Sequence, residues 1–269
     1  MATEENTMSP GRAESDTVRI PEDALIIVPV RDTVLFPGVV APITISRPKS
    51  IAAAQQALRE QRPIGILLQR NADVEDPDPN GLYRICTVAN IVRYITAQDG
   101  AHHVICQGVQ RARIVDFLPG TPFPAARAIN IPEPTTTSPE IEARFLNLQR
   151  QAIEALQLLP QAPRELIAVF ETTTSPAALA DLAAAYMDIK PQEKQEILET
   201  IDLPLRMEKV SRYLAERLEV LRLTNEIGQK TKAAFDERQR EAILREQMAT
   251  IQRQLGEGCL LYTSPSPRD

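Results

Sequence analysis

The chain has 269 residues, of which 43% are hydrophobic and 25% are charged, a composition typical of a globular protein with one large domain or two ordinary ones. The formal net charge is −6, and residues 1–204 carry 18 basic and 26 acidic side chains, which argues against nucleic acid as the main partner, because phosphate binding needs a basic face. Only 4% of the residues are aromatic and none is Trp, which argues against an aromatic-lined ligand pocket.

The first 23 residues predict a disordered leader. They contain no apolar stretch of the kind found in a signal peptide, and they are too acidic for a mitochondrial transit sequence. Nowhere does the sequence approach the roughly twenty apolar residues that a membrane span requires. The sequence therefore predicts a cytoplasmic protein with no membrane partner.

Residues 24–131 are predicted to form a β-rich domain. Pro37-Gly38 suits a type II turn and Asp99-Gly100 a hairpin, while Ser50 is positioned to cap a helix over Ile51–Glu60. Short runs rich in Ile and Val, separated by turn residues, predict an antiparallel or barrel-like sheet. The predicted strands are Ala24–Val30, Val39–Ile45, Ile64–Gln69, Ile85–Ile95, Val104–Cys106, Arg111–Phe117 and Ala125–Ile131.

Beyond a Pro- and Thr-rich linker at 132–139, the composition predicts helices. A bundle is expected over 140–203, with Ser138 and Ser175 as N-caps. Several prolines each precede a run of good helix formers, which marks the first turn of a helix. These prolines are Pro139, Pro163, Pro176, Pro191 and Pro204.

The last helix is predicted to be long, covering residues 204–258. Leu244, Met248, Ile251 and Leu255 follow the 4-3-4 spacing of one coiled-coil seam. Upstream, Thr224 and Gly228 interrupt that seam. A kink or a change of packing partner is expected near Gly228. A helix with one apolar stripe on a charged arm needs a partner.

The sequence offers no catalytic, cofactor-binding or metal-binding residue. It contains neither a G-x-x-x-x-G-K-[ST] phosphate loop nor a G-x-S-x-G nucleophile elbow. His102 and His103 are adjacent on a predicted strand and therefore point to opposite faces. Cys86, Cys106 and Cys259 are too few and too irregularly spaced for a disulfide framework or a zinc site, which favours buried free thiols.

The acidic stretch DPDPNG (76–81) has the first residues of a calcium loop. The twelfth position, however, is Thr87, where a bidentate Glu is needed, and two prolines stiffen the stretch. We interpret it as an exposed acidic turn.

Three separated stretches carry a resemblance to a known family. VPVRDTVLFPGVVAPITISRPKSI (28–51), GVQRARI (108–114) and REAILREQMATIQRQLGEG (240–258) resemble, in order and spacing, the N-terminal region of Lon, the ATP-dependent protease. The resemblance covers residues 24–258. Ser46 departs from it, because the family often has Gly there.

The resemblance implies an α+β fold, in which a PUA-like β-rich barrel domain precedes an α-helical bundle that ends in a long helix. It also implies a role in binding unfolded or tagged protein substrates and in assembling a homo-hexamer. ATP and Mg²⁺, and cleavage by a Ser-Lys dyad, belong in this family to domains that would follow residue 258. The contact residues for substrate stay unknown; Leu35 and Phe36 are candidates, but packing under the Pro37-Gly38 turn is the simpler interpretation.

The final stretch, 259–269, has a different character. CLLYTSPSPRD can be encoded by a DNA sequence that looks like a transposase-based sequencing adapter read through as protein. The expectation is therefore a chain truncated ahead of an ATPase domain. The alternatives are a complete, stand-alone adaptor built on the same domain, and an RNA-binding protein, which the negative charge of residues 1–204 opposes.

Overall fold

The computed structural model describes residues 20–97, 102–134, 138–159 and 163–259. The predicted Asp99-Gly100 hairpin, most of the predicted leader and residues 260–269 lie outside these ranges. Within them, six strands with one helix between the second and the third precede five further helices, the last of which is much longer than the others.

The strands form a mixed six-stranded sheet. They are β1 (Ala24–Val30), β2 (Val40–Ile45), β3 (Ile64–Leu68), β4 (Ile85–Thr96), β5 (His102–Phe117) and β6 (Ala125–Ile131). The pairings β1–β3, β3–β4, β4–β5, β5–β6 and β6–β1 close a ring, and β2 pairs with β5. The predicted barrel is confirmed.

One pair, β1–β3, is parallel, while every other pair in the described sheet is antiparallel. A parallel pair needs a long crossover, and β2 together with helix α1 (Pro48–Glu60) supplies it.

The prediction of two separate strands at Val104–Cys106 and Arg111–Phe117 is wrong, because β5 runs without a break from His102 to Phe117. Gly108 does not end the strand. It remains in register with Ala89 of β4, and a bulge that skips Val109 absorbs the irregularity.

The predicted cap of the first helix is also wrong. The helix begins at Pro48, with Arg47 as the N-cap residue, and Ser50 lies inside the first turn, where it is buried. Proline at the first helical position explains the earlier start, because its φ angle is preset and its missing N–H needs no partner.

The remaining helices begin where prolines predict. They are α2 (Pro139–Leu158), α3 (Arg164–Thr172), α4 (Pro176–Tyr186), α5 (Pro191–Glu199) and α6 (Leu203–Cys259). The Ser138 hydroxyl accepts a hydrogen bond from Ile141 N (3.2 Å), and the Ser175 hydroxyl accepts one from Ala178 N (3.4 Å). Both predicted N-caps are therefore confirmed.

Helix α6 has 57 residues and would extend about 85 Å at the standard helical rise. It continues as one helix through Gly228. Its first part packs against α2, α4 and α5, but every residue whose exposure is described after Leu221 is exposed. The helix therefore leaves the bundle about two turns before Gly228, the position at which the sequence predicts a kink or a change of packing partner.

A continuous apolar core joins the barrel to the helices. It includes residues of β1, β2 and α1 as well as residues of α2, α4, α5 and the first part of α6. A smaller cluster around Ile27, Leu67 and Ala112 fills another side of the barrel. None of the described helices is both long enough and apolar enough to cross a membrane.

Candidate functional site

A cluster of four charged side chains, three of them buried, lies where the barrel meets the helices. Arg111 of β5 donates from Nη1 and Nη2 to the two carboxylate oxygens of Asp181 in α4, at 2.8 and 2.6 Å. Glu133, which follows β6, accepts from both Arg111 and Arg206 of α6. Arg111, Asp181 and Arg206 are each no more than 1% exposed. The cluster thus ties strand β5, the segment after β6 and two helices together.

Two further hydrogen bonds strengthen this junction. The Arg111 Nε donates to the Leu198 carbonyl oxygen at 3.0 Å, and the Gln195 amide donates to the Ile85 carbonyl oxygen at 2.9 Å. Sequence reasoning missed all of these contacts, although Arg111 lies within the GVQRARI stretch that carries the resemblance.

The neighbouring groups favour the charged forms of Glu133 and Arg111, whereas burial raises the pKa of Asp181 above its ordinary value against the opposing effect of Arg111. Burial raises the pKa of Glu133, but the hydrogen bonds and charges of Arg206 and Arg111 outweigh burial and hold that pKa below its ordinary value. Burial lowers the pKa of Arg111, but Asp181 and Glu133 outweigh it and raise the pKa above its ordinary value. Glu133 and Arg111 are therefore ionised at neutral pH.

A groove with a volume of about 330 Å³ opens beside the cluster, between the Pro37-Gly38 turn and the start of α4. Its wall is largely apolar, and Glu133 and Asp181 are among the polar residues that line it. The apolar wall consists of Pro37, Pro134, Pro176, Ala177, Ala178 and Leu203. An apolar wall with a few polar groups is the usual character of a binding groove.

The turn beside the groove is held by β5. Gly38 has φ +77°, and Val39 N donates to the Phe36 carbonyl oxygen at 3.3 Å, so the predicted type II turn is confirmed. Gly38 N donates to the Gly108 carbonyl oxygen and Gly108 N donates to the Val39 carbonyl oxygen, both at 2.9 Å. Leu35 and Phe36, the candidates for substrate contact, are buried beneath this turn and do not reach the surface.

The outer part of α6 presents a second exposed apolar surface. The predicted stripe of Leu244, Met248, Ile251 and Leu255 is at least half exposed at every position, and Phe235 and Ile227 are also exposed. Exposed apolar rows of this kind mark interaction surfaces.

The histidines lie apart from the groove and have different partners. His102 Nδ1 is 2.9 Å from the Tyr94 hydroxyl of β4, whereas His103 Nδ1 is 3.1 Å from the Thr44 hydroxyl of β2. They do not converge, in agreement with the prediction of opposite faces. The acidic stretch is a turn in which Asp78 Oδ1 accepts from Gly81 N at 2.7 Å. Within the described ranges, no cluster of three or more His, Cys, Asp or Glu residues could hold a metal ion.

Cys86 and Cys106 are buried free thiols, as predicted. Burial raises the pKa of each thiol to about 12, so both are protonated at neutral pH and poor nucleophiles. The side chain of Cys259 lies outside the described residues.

The described part of the chain thus combines a β barrel, a helical bundle with an apolar groove at the junction, and a long exposed helix. The sequence matches the model of the ATP-dependent protease La (LON) substrate-binding domain over residues 24–216. The chain therefore belongs to the Lon substrate-binding domain family.

Two relatives support this assignment. The chain is 59% identical to a Lon protease of Methylocella silvestris over 94% of its own length and 31% of that protein. It is also 59% identical to a Lon protease of Phenylobacterium zucineum, over 89% of its own length and 30% of that protein. The chain thus spans about a third of the length of these relatives.

The fold is similar to a solved N-terminal domain of a Mycobacterium avium complex Lon protease. The TM-score is 0.61 at 24% sequence identity, covering 71% of this chain and 98% of that domain.

Proposed function

We propose that this chain recognises unfolded or tagged protein segments and binds them in the apolar groove between the Pro37-Gly38 turn and α4. The observation that carries the proposal is the wall of this groove, which is built largely from proline and alanine and lies at the junction of barrel and bundle. Prolines lack backbone N–H groups, so such a wall leaves few unsatisfied donors when an apolar segment covers it. Contacts of this kind make few demands on the sequence of the bound segment.

We also propose the setting of this activity. In the bacterial cytoplasm, the region would deliver substrates to an ATP- and Mg²⁺-dependent motor and a Ser-Lys peptidase, the parts that the Lon resemblance implies. ATP and Mg²⁺ would act in the motor and not in the groove.

The groove is tested by changing Ala178, an exposed residue in the first turn of α4, to glutamate. A carboxylate there suits the helix N-terminus, so folding is retained, while the groove acquires a charge that an apolar segment must desolvate. We expect Ala178→Glu to weaken the binding of fluorescently labelled unfolded casein by about tenfold, measured by anisotropy, because about 1.4 kcal/mol corresponds to that factor.

Ala215→Glu is the matched control, since Ala215 is an exposed residue of α6 away from this groove. Casein affinity should be unchanged in this variant. Equal affinities of both variants and the parent chain would exclude the groove as the binding surface, and absence of any casein binding by the parent chain would refute the recognition role.

We further propose that the exposed stripe on α6 contributes to self-association. Its four apolar residues at coiled-coil spacing lie on the part of the helix that contacts nothing else among the described residues. Met248→Glu combined with Ile251→Glu should lower the average molecular mass of the chain in sedimentation experiments at high concentration. Ala249→Glu, on another face of the same turn, should leave the mass unchanged; the same mass for all three proteins would contradict the proposal.

A further inference from the structure

Strand β6 closes the ring of strands only at the start of β1, and the end of β1 has no strand partner on that side. Strand β6 pairs with only the first residues of β1, at Ala24–Ile26, while β2 pairs only with β5. The end of β1 and strand β2 border a common cavity of about 270 Å³ instead of pairing with each other. Pro29 of β1 and Pro42 of β2 both line this cavity and lack the N–H group that a ladder across it would need. The two prolines thus account for the absence of pairing between the end of β1 and β2.

The cavity lies at the N-terminus of α1. The N-cap residue is Arg47, and it makes no side-chain hydrogen bond to the helix. In the first turn, Pro48 has no amide hydrogen, and the amides of Lys49 and Ser50 have no partner within the helix by geometry. Backbone donors and the positive end of the helix dipole at this position favour an anion.

Two polar side chains at the cavity, the buried Ser50 and the half-buried Arg47, have unused donors. Ser50 lines the cavity, is only 3% exposed, and its hydroxyl makes no hydrogen bond with any residue of the described part of the chain. Arg47 Nη2 donates to the Gln69 side-chain oxygen and to the Val74 carbonyl oxygen (3.4 Å), but its Nη1 is buried without a partner. A buried donor without a protein partner is costly, and a bound ion or water molecule can satisfy it.

The charge of the cavity wall is positive on balance. Arg31 lines the cavity together with Arg47, and Asp32 is the acidic residue among the lining side chains. Burial lowers the pKa of Arg47 and the charge of Arg31 lowers it further, against the opposing effect of Asp76 and Glu75. Asp76 forms an ion pair with Lys49 and not with either arginine. Two arginines beside one cavity thus repel each other unless an anion lies between them.

We propose that this cavity binds a phosphate group, either as inorganic phosphate or as the ester of a small molecule. Arg31 and Arg47 supply the charge, and the Ser50 hydroxyl and the free amides of the α1 N-terminus supply further donors. A tetrahedral dianion accepts several hydrogen bonds from different directions, whereas a planar carboxylate uses fewer of them. The site lies apart from the proposed groove for unfolded segments and does not depend on it.

Calorimetric titration of the full chain tests this site. Sodium phosphate and glycerol phosphate are titrated separately against the same ionic strength of sodium chloride, with sodium acetate as the carboxylate comparison. We expect saturable 1:1 binding of phosphate and weaker or no binding of acetate. Tighter binding of the ester would assign the site to phosphomonoesters, and tighter binding of the free ion would assign it to inorganic phosphate; both results support the proposal.

Variants show whether the binding takes place in the cavity. Arg47→Gln and Arg31→Gln should each raise the Kd for phosphate about tenfold or more, because a hydrogen bond to a charged group is lost. Arg31 is exposed, so Arg31→Gln retains the fold even if Arg47→Gln disturbs it. Ser50→Ala should raise the Kd severalfold.

Arg59→Gln is the control, because it removes the same charge from the last turn of the same helix. Its Kd for phosphate should equal that of the parent chain. Absence of saturable phosphate binding, equal affinity for acetate, or equal losses in Arg59→Gln and Arg31→Gln would each overturn the proposal.

Discussion

Replacing Asp181 by alanine is expected to lower the free energy of unfolding by about 3–5 kcal/mol, the typical cost of breaking a buried ion pair by removing one partner. Asp181 accepts both guanidinium hydrogen bonds of Arg111, and Arg206 lies 3.6 Å from the same carboxylate. Without Asp181, two buried arginines share one partly exposed carboxylate, that of Glu133. Urea denaturation followed by far-ultraviolet circular dichroism measures the loss.

The control for this substitution is Glu154→Ala. Glu154 pairs with Arg222 at the surface, between α2 and α6, and both side chains are substantially exposed. Water and salt screen such a pair, so its loss should cost at most about 1 kcal/mol. If Asp181→Ala and Glu154→Ala shifted the unfolding midpoint equally, the buried cluster could not be what joins the barrel to the bundle.

The second large effect is expected at Gly108. A Cβ atom added there would lie 2.2 Å from the Phe36 carbonyl oxygen and 2.9 Å from its carbonyl carbon. Both are backbone atoms, so the clash cannot be relieved by rotating a side chain. Gly108→Ala should therefore destabilise the protein by about 3 kcal/mol, at the upper end of what overpacking costs. The same denaturation experiment measures it.

Gly228→Ala is the matched comparison, because a Cβ atom at that exposed helical position meets nothing within 4 Å. Alanine is the better helix former by up to about 1 kcal/mol, so this variant should lose no stability. A tolerated Gly108→Ala would show that the Phe36–Val39 turn can move away from β5, and that the close approach is not a constraint on the fold.

The Gly108 contact also gives a physical account of one stretch behind the family resemblance. In GVQRARI, the glycine admits the backbone of Phe36, and Arg111 reaches Asp181 across the junction. Gly108 and Arg111 are three positions apart on one strand but have different roles. Gly108 allows a turn of the barrel to pack against the strand, and Arg111 attaches the bundle to the barrel. The second buried arginine, Arg206, extends the same cluster into α6.

The errors of the sequence-based prediction follow from the same features. Gly108 suggested an interruption between two strands, because glycine is common in turns, whereas here it serves a close backbone approach within one strand. Ser50 suggested an N-cap, because serine is a good cap, but proline at position 48 starts the helix earlier and leaves Ser50 facing a cavity.

The sequence by itself determined the features that depend on neighbouring residues. Strand segments, the proline-marked helix starts, the Ser138 and Ser175 caps and the exposed stripe on α6 all follow from local propensity, capping and periodicity, which act within a few residues. The order of the three family-like stretches was likewise sufficient to assign the family.

Only the tertiary structure decided which distant residues meet. Arg111 is 22 residues from Glu133 and 70 residues from Asp181, and nothing local to any of them predicts the cluster. Three further features likewise arise where separate segments come together. They are the missing pairing between the end of β1 and β2, the cavity at the α1 N-terminus and the groove beside Pro37. The stability of such contacts depends on desolvation and on how the segments are placed relative to one another. Both are defined only once the chain has folded.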